Sequence, residues 1–248
     1  MKISFGGNSV LYFSITGAFK AFQEEDIGFD EVHCAGFSCV PAFLTMYYDS
    51  PDRAFNIVRK VWKDFKKSFY NPEGHALPGI VEILRTLYKI GDPMRGALSH
   101  KALRDFTDEY FPGVKLSEIP ELKIHAFNIS EYRDEIMECD VRTAMNRTLA
   151  FPVQFAPYDN YISGSSLYGV PEGELLYILN HENRVKPRHA LDYLFLSTKA
   201  RTHEIVNIKK KRCNYVFEEY YDDSNPDNLV TKIYHDTKNW IKKNIQTS

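Results

Sequence analysis

The residues of this chain best suited to covalent chemistry are Gly36-Phe37-Ser38-Cys39-Val40. Apolar Val32, Cys34 and the small Ala35 lead into them as a strand, and Pro41 to Tyr48 leave as a helix. A serine at the tip of such a turn has the geometry of a nucleophile elbow. Its hydroxyl stands above the sheet, while the next backbone N–H and the positive helix N-terminus face the oxyanion of an acyl transfer. That turn ordinarily carries glycine two residues after the serine, where helix and strand approach closely, and Val40 stands there instead. An ordinary βα turn that contains a serine is the competing reading.

The flanking elements supply the frame. Met1 to Asn8 reads as a short strand ending in the turn Gly6-Gly7-Asn8. Ser14 to Phe22 follows as a helix, with Ile15, Ala18, Phe19 and Phe22 at helical spacing. Phe29 to Gly36 is the second strand. This βαβ order predicts two parallel strands ending side by side, one offering backbone N–H groups and the other a hydroxyl. Far downstream lie Val141 to Pro157, containing Phe151-Pro152 and Phe155-Ala156-Pro157, and then Tyr161-Ile162-Ser163-Gly164-Ser165-Ser166 to Pro171.

In order and spacing these blocks resemble the patatin-like phospholipase family in its small bacterial form, over about the first 175 residues. The resemblance implies a three-layer α/β fold, with a central mostly parallel sheet and helices on both faces, formed by residues 1–248 as a single domain. It also implies a nucleophile at Ser38 and an oxyanion hole from Gly6, Gly7, Asn8 and the Cys39 amide. Patatins pair serine with aspartate and need no histidine. Here the aspartate position falls on Ser163, with Gly164 kept and Ser165 in place of the second glycine, and the Arg-Gly expected after the oxyanion turn is missing from Ser9-Val10-Leu11-Tyr12. A neutral hydroxyl is no general base near pH 7, and losing a positioned base forfeits roughly 10²–10⁴ in rate. Asp159 is the nearest carboxylate, either a replacement base or a solvated turn residue.

Two functions follow as expectations. One is an acyl-ester or lipid hydrolase with impaired or rearranged catalysis. The other is a non-catalytic protein that keeps the fold to bind lipid or a partner. In either case Ser38 and Ser163 should lie together, facing a pocket roofed by the helices between Asp52 and Tyr110.

Composition bounds these readings. At 248 residues with 44% hydrophobic and 26% charged residues, the chain can bury a large core as one soluble domain. A formal charge of −2 gives no reason to expect nucleic acid. The basic run Lys209-Lys210-Lys211-Arg212 reads as a loop between the apolar strands 205–208 and 215–217, or as peripheral contact with anionic lipid headgroups. Cys34, Cys39, Cys139 and Cys213 show no metal-ligand spacing, and no metal or cofactor is expected. With neither a signal peptide nor a spanning apolar run in view, the expected setting is cytoplasmic.

Further helices are expected at Asp52–Phe69, Pro78–Tyr88, Lys101–Tyr110 and Asn228–Ile245, with strands at Leu122–Asn128 and Leu191–Leu196. His33, His75, His100 and His125 sit in no motif and receive no role.

Overall fold

The computed structural model describes residues 1–7, 9–69, 100–152, 155–181, 190–221 and 225–246. The first strand, β1 (Lys2–Gly7), passes through a 3₁₀ turn (Val10–Ile15) into helix α1 (Thr16–Glu24). Strand β2 (Glu31–Gly36) leads into α2 (Cys39–Tyr48) and then α3 (Pro51–Phe69). After α4 (His100–Tyr110) come β3 (Leu122–Asn128), β4 (Arg133–Ile136), α5 (Val141–Thr148), the two-residue β5 (Tyr161–Ile162) and the single turn α6 (Ser165–Tyr168). Strand β6 (Leu175–His181), α7 (Ala190–Lys210), β7 (Tyr215–Tyr221) and α8 (Pro226–Asn244) complete the chain.

The seven-stranded sheet has the order β4-β3-β2-β1-β6-β7, with β5 added to the end of β3. The β2, β1, β6 and β7 neighbours are all parallel, as are β2 and β3, whereas β4 and β5 run antiparallel to β3. Strand order reverses beside β1: the chain moves one way through β2 and β3, then returns to the other side for β6 and β7. The carboxyl ends of β1 and β6 therefore flank a topological switch point, where open α/β sheets bind ligands.

Alternation along the strands builds the layers. Ile3, Phe5, Val32, Cys34, Ile124, Leu175, Tyr177 and Leu179 face the main core shared with α1, α2 and α8. Leu176 and Ile178 point to the opposite face, where they pack with Val170 and with Val206 of α7. Tyr177 stacks on Phe217 with centroids 4.2 Å apart, tying β6 to β7. Helix α5 begins where Asp140 accepts from the Thr143 amide at 3.0 Å, an N-cap that fixes where its last residue, Thr148, arrives.

The strands expected at the N-terminus and at 122–128 form, as do the helices at 52–69, 101–110 and 228–245. The helix expected at 78–88 lies outside the described residues. Two expectations are corrected. Residues 191–196 and 205–208, read as strands, belong to the 21-residue helix α7, and the basic run spans its last two residues, Lys209 and Lys210, and the turn that follows, rather than a loop between strands. No glycine or proline interrupts 190–210, so the helix carries its short apolar clusters along unbroken.

Candidate functional site

The end of β2 is built by close approach. Gly36 has φ +72°, the left-handed conformation that glycine adopts without steric cost. A Cβ there would lie 2.4 Å from Ser165 Oγ and 3.0 Å from the Gly7 carbonyl oxygen. The Gly36 amide donates to Thr148 Oγ1 at 2.9 Å, and that hydroxyl donates in turn to the His125 carbonyl at 2.7 Å. Gly36 thus forms the apex of the strand–helix turn, pinned by the end of α5 and covered by the turn that follows β5. The same covering turn meets β1, where a Cβ on Gly6 would come within 2.4 Å of Val170 Cα.

Ser38 lies two residues beyond that apex in ordinary right-handed backbone, with φ −61° and ψ −23°. It is fully buried, and its hydroxyl donates to the carbonyls of Ala35 at 3.0 Å and Phe5 at 3.2 Å. The hydroxyl therefore points back into the sheet. Cys39 begins α2, its buried Sγ 3.8 Å from Thr148 Oγ1. Burial, reinforced by the neighbouring Cys39 thiol, holds the Cys34 thiol well above its ordinary range, which keeps it neutral and unreactive.

Ser163 and Ser165 are buried, and their hydroxyls bond each other at 2.9 Å. The covering turn brings Ser165 against Gly36, while the Ser38 hydroxyl is held on the Ala35 and Phe5 carbonyls. Asp159 stands apart. With Asn160 it forms a tight turn, both at positive φ, closed by reciprocal backbone bonds between Tyr158 and Tyr161. Its half-exposed carboxylate pairs with Arg147 at 3.3 Å. Gly6 and Gly7 end β1 opposite Ala35 and Gly36 in register, and Asn8 lies outside the described residues.

Other polar residues converge here that sequence spacing did not single out. Tyr168, in the covering turn, donates to Asp134 at 2.7 Å, and Asp134 holds His125 at 2.6 Å. His125 meets His33 at 2.7 Å, and His33 meets Glu31 at 2.9 Å. Burial pushes His33 down to about 4 against the opposing pull of Glu31, so His33 is neutral at pH 7. His100 lies 3.1 Å from the Ala156 carbonyl oxygen, and His75 falls outside the described residues. At the carboxyl ends of β1 and β6, Ser9 Oγ and His181 Nε2 stand 2.7 Å apart. Alternation on separate strands gave no sign of either pairing, because each joins residues 92 or more positions apart.

Among the described residues no group of histidines, cysteines and carboxylates is placed to hold a metal, and no helix is long and apolar enough to cross a membrane. A cavity of about 290 Å³, lined by Phe19, Phe22, Phe29 and Met46 among others, opens at the amino ends of the strands, away from this chemistry.

The solved structure of VipD from Legionella pneumophila matches 98% of this chain and 66% of its own with a TM-score of 0.50. The fold is patatin-like. Sequence identity over the match is 12%, so the likeness extends to the fold alone, and this chain spans just under two thirds of VipD's length. No family model matches the sequence, and no curated protein is similar to it. The turn at Gly36 meets the turn carrying Ser165, but the expected pairing of Ser38 with Ser163 is not among their hydrogen bonds: Ser38 donates to main-chain carbonyls and Ser163 bonds Ser165. The described parts of α3 and α4 pack into the main core.

Proposed function

We propose that this chain is a patatin-fold protein that binds an acyl or lipid ligand and does not use Ser38 to hydrolyse it. One observation carries the reading: the Ser38 hydroxyl is fully buried and committed to the Phe5 and Ala35 carbonyls, while the left-handed apex of the turn is a glycine. A nucleophile elbow works because the strained residue itself projects the reacting atom, and Gly36 has no side chain to project. Ser163 and Ser165, facing Gly36, provide hydroxyls and no carboxylate. Asp159 is held by Arg147 in a solvent-facing turn. The acyl-ligand part of the reading rests on the resemblance in sequence and the shared fold, and a cytoplasmic setting belongs to the same reading.

Fluorophosphonate labelling with peptide mapping tests it. Ser38 should carry no adduct, and Ser38→Ala should leave ester turnover unchanged. A fluorescent fatty-acid analogue should bind the unmodified protein and Ser38→Ala equally. An adduct on Ser38, or activity lost in Ser38→Ala, would overturn the reading.

A further inference from the structure

Ser9 follows the glycine turn of β1, and His181 is the last residue of β6, so both stand at the switch point of the sheet. Their contact is short, 2.7 Å from Ser9 Oγ to His181 Nε2, and both side chains are only partly buried. Rigid elements hold them. Ser9 caps the 3₁₀ turn, its Oγ accepting from the Leu11 amide at 3.1 Å. The Tyr12 ring lies against Gly7, and its hydroxyl accepts from the Leu179 amide at 3.1 Å. That bond locks the segment after β1 to the end of β6. A serine within hydrogen-bond reach of an imidazole, both on a fixed scaffold, is the arrangement that turns a weak hydroxyl into a nucleophile.

We propose that Ser9 and His181 are a nucleophile and its general base, forming a site at the switch point that accepts the acyl group of a small carboxylic ester. In the tautomer with its proton on Nδ1, His181 accepts the Ser9 hydroxyl proton at Nε2 as Ser9 Oγ bonds to the ester carbonyl carbon. The carbonyl electron pair moves to oxygen. Its return breaks the bond to the alkoxy group, which leaves as the alcohol with the proton from His181. Water then attacks the Ser9 acyl ester by the same sequence, releasing the acid and restoring Ser9. The Leu11 amide, donating to Ser9 Oγ, stabilises the negative charge that builds on that oxygen as the proton departs. This inference goes beyond the reading of the preceding section, which concerns Ser38.

The test uses the full chain, a fluorophosphonate and 4-nitrophenyl acetate, with adducts located by peptide mass spectrometry. The adduct is expected on Ser9. His181→Gln, with its fold checked by circular dichroism, should slow labelling roughly 100-fold, within the span expected for a lost general base. Free imidazole added to His181→Ala should restore much of the rate, which a merely structural histidine would not allow. No adduct on Ser9, or a Ser9 rate unchanged in both His181 variants, overturns the proposal. An adduct on Ser38 overturns the preceding reading instead, so the two failures are distinguishable.

Discussion

Two serines at neighbouring strand ends have opposite surroundings. Ser38 sits in the stretch whose residue types look catalytic, yet its hydroxyl is sealed under the turn on two main-chain carbonyls. Ser9 sits in a stretch that departs from the family pattern, yet its oxygen meets an imidazole at the carboxyl ends of β1 and β6. The difference is one of partner and exposure rather than of residue type. A hydroxyl donating to a carbonyl has no base to receive its proton, whereas one bonded to imidazole nitrogen does. Motif position alone therefore does not select the reactive serine.

The largest expected effect comes from breaking the turn that hides Ser38. Gly36→Ala must place a Cβ at φ +72° against Ser165 and the Gly7 carbonyl. Left-handed backbone and overpacking together should cost about 4 kcal/mol, read as a lowered urea midpoint. Stability near that of the unmodified protein would show that Gly36 is not the constrained apex.

Acid should act next, and it bounds the pH range over which the serines can be compared. His33 is held down to about 4, mainly by burial, below the ordinary 6.5 of the unfolded chain. Between those values the unfolded state binds the proton and the folded state does not. Stability is therefore complete above pH 6.5 and falls as pH drops towards 4, by at most about 3 kcal/mol. Urea titrations from pH 4 to 7 should show this slope, and His33→Gln should flatten it.

Ser38→Ala should be milder, costing about 1 kcal/mol for a buried neutral hydrogen bond. Ser9 labelling should not change. A large loss of labelling in this variant would tie the two serines into one site and erase the contrast between them.

The smallest effect is expected at Asp159. Its pairing with Arg147 is exposed enough that Asp159→Asn should change stability by less than about 0.5 kcal/mol and leave ester turnover unaltered. Turnover lost in this variant would instead make Asp159 the base foreseen as one reading of the sequence.

Much of this architecture was legible in the chain itself. Alternating apolar residues in Leu122–Asn128 and the βαβ order of the first 36 residues are local patterns, and each formed where expected. Short apolar runs were not legible in the same way. Residues 191–196 carry no period that separates a buried strand from a helix, and the uninterrupted stretch around them decided for helix α7. The sequence by itself determined a patatin-like order of elements and a serine beside a strand–helix turn. Only the tertiary structure decided that the turn's left-handed position is Gly36 and that Ser38 faces the sheet. It also decided that His181 reaches Ser9 across 172 residues. The physical reason is that a dihedral angle and a hydrogen-bond partner are set by what packs against the residue, here Ser165, Thr148 and the end of β6, none of them near in sequence.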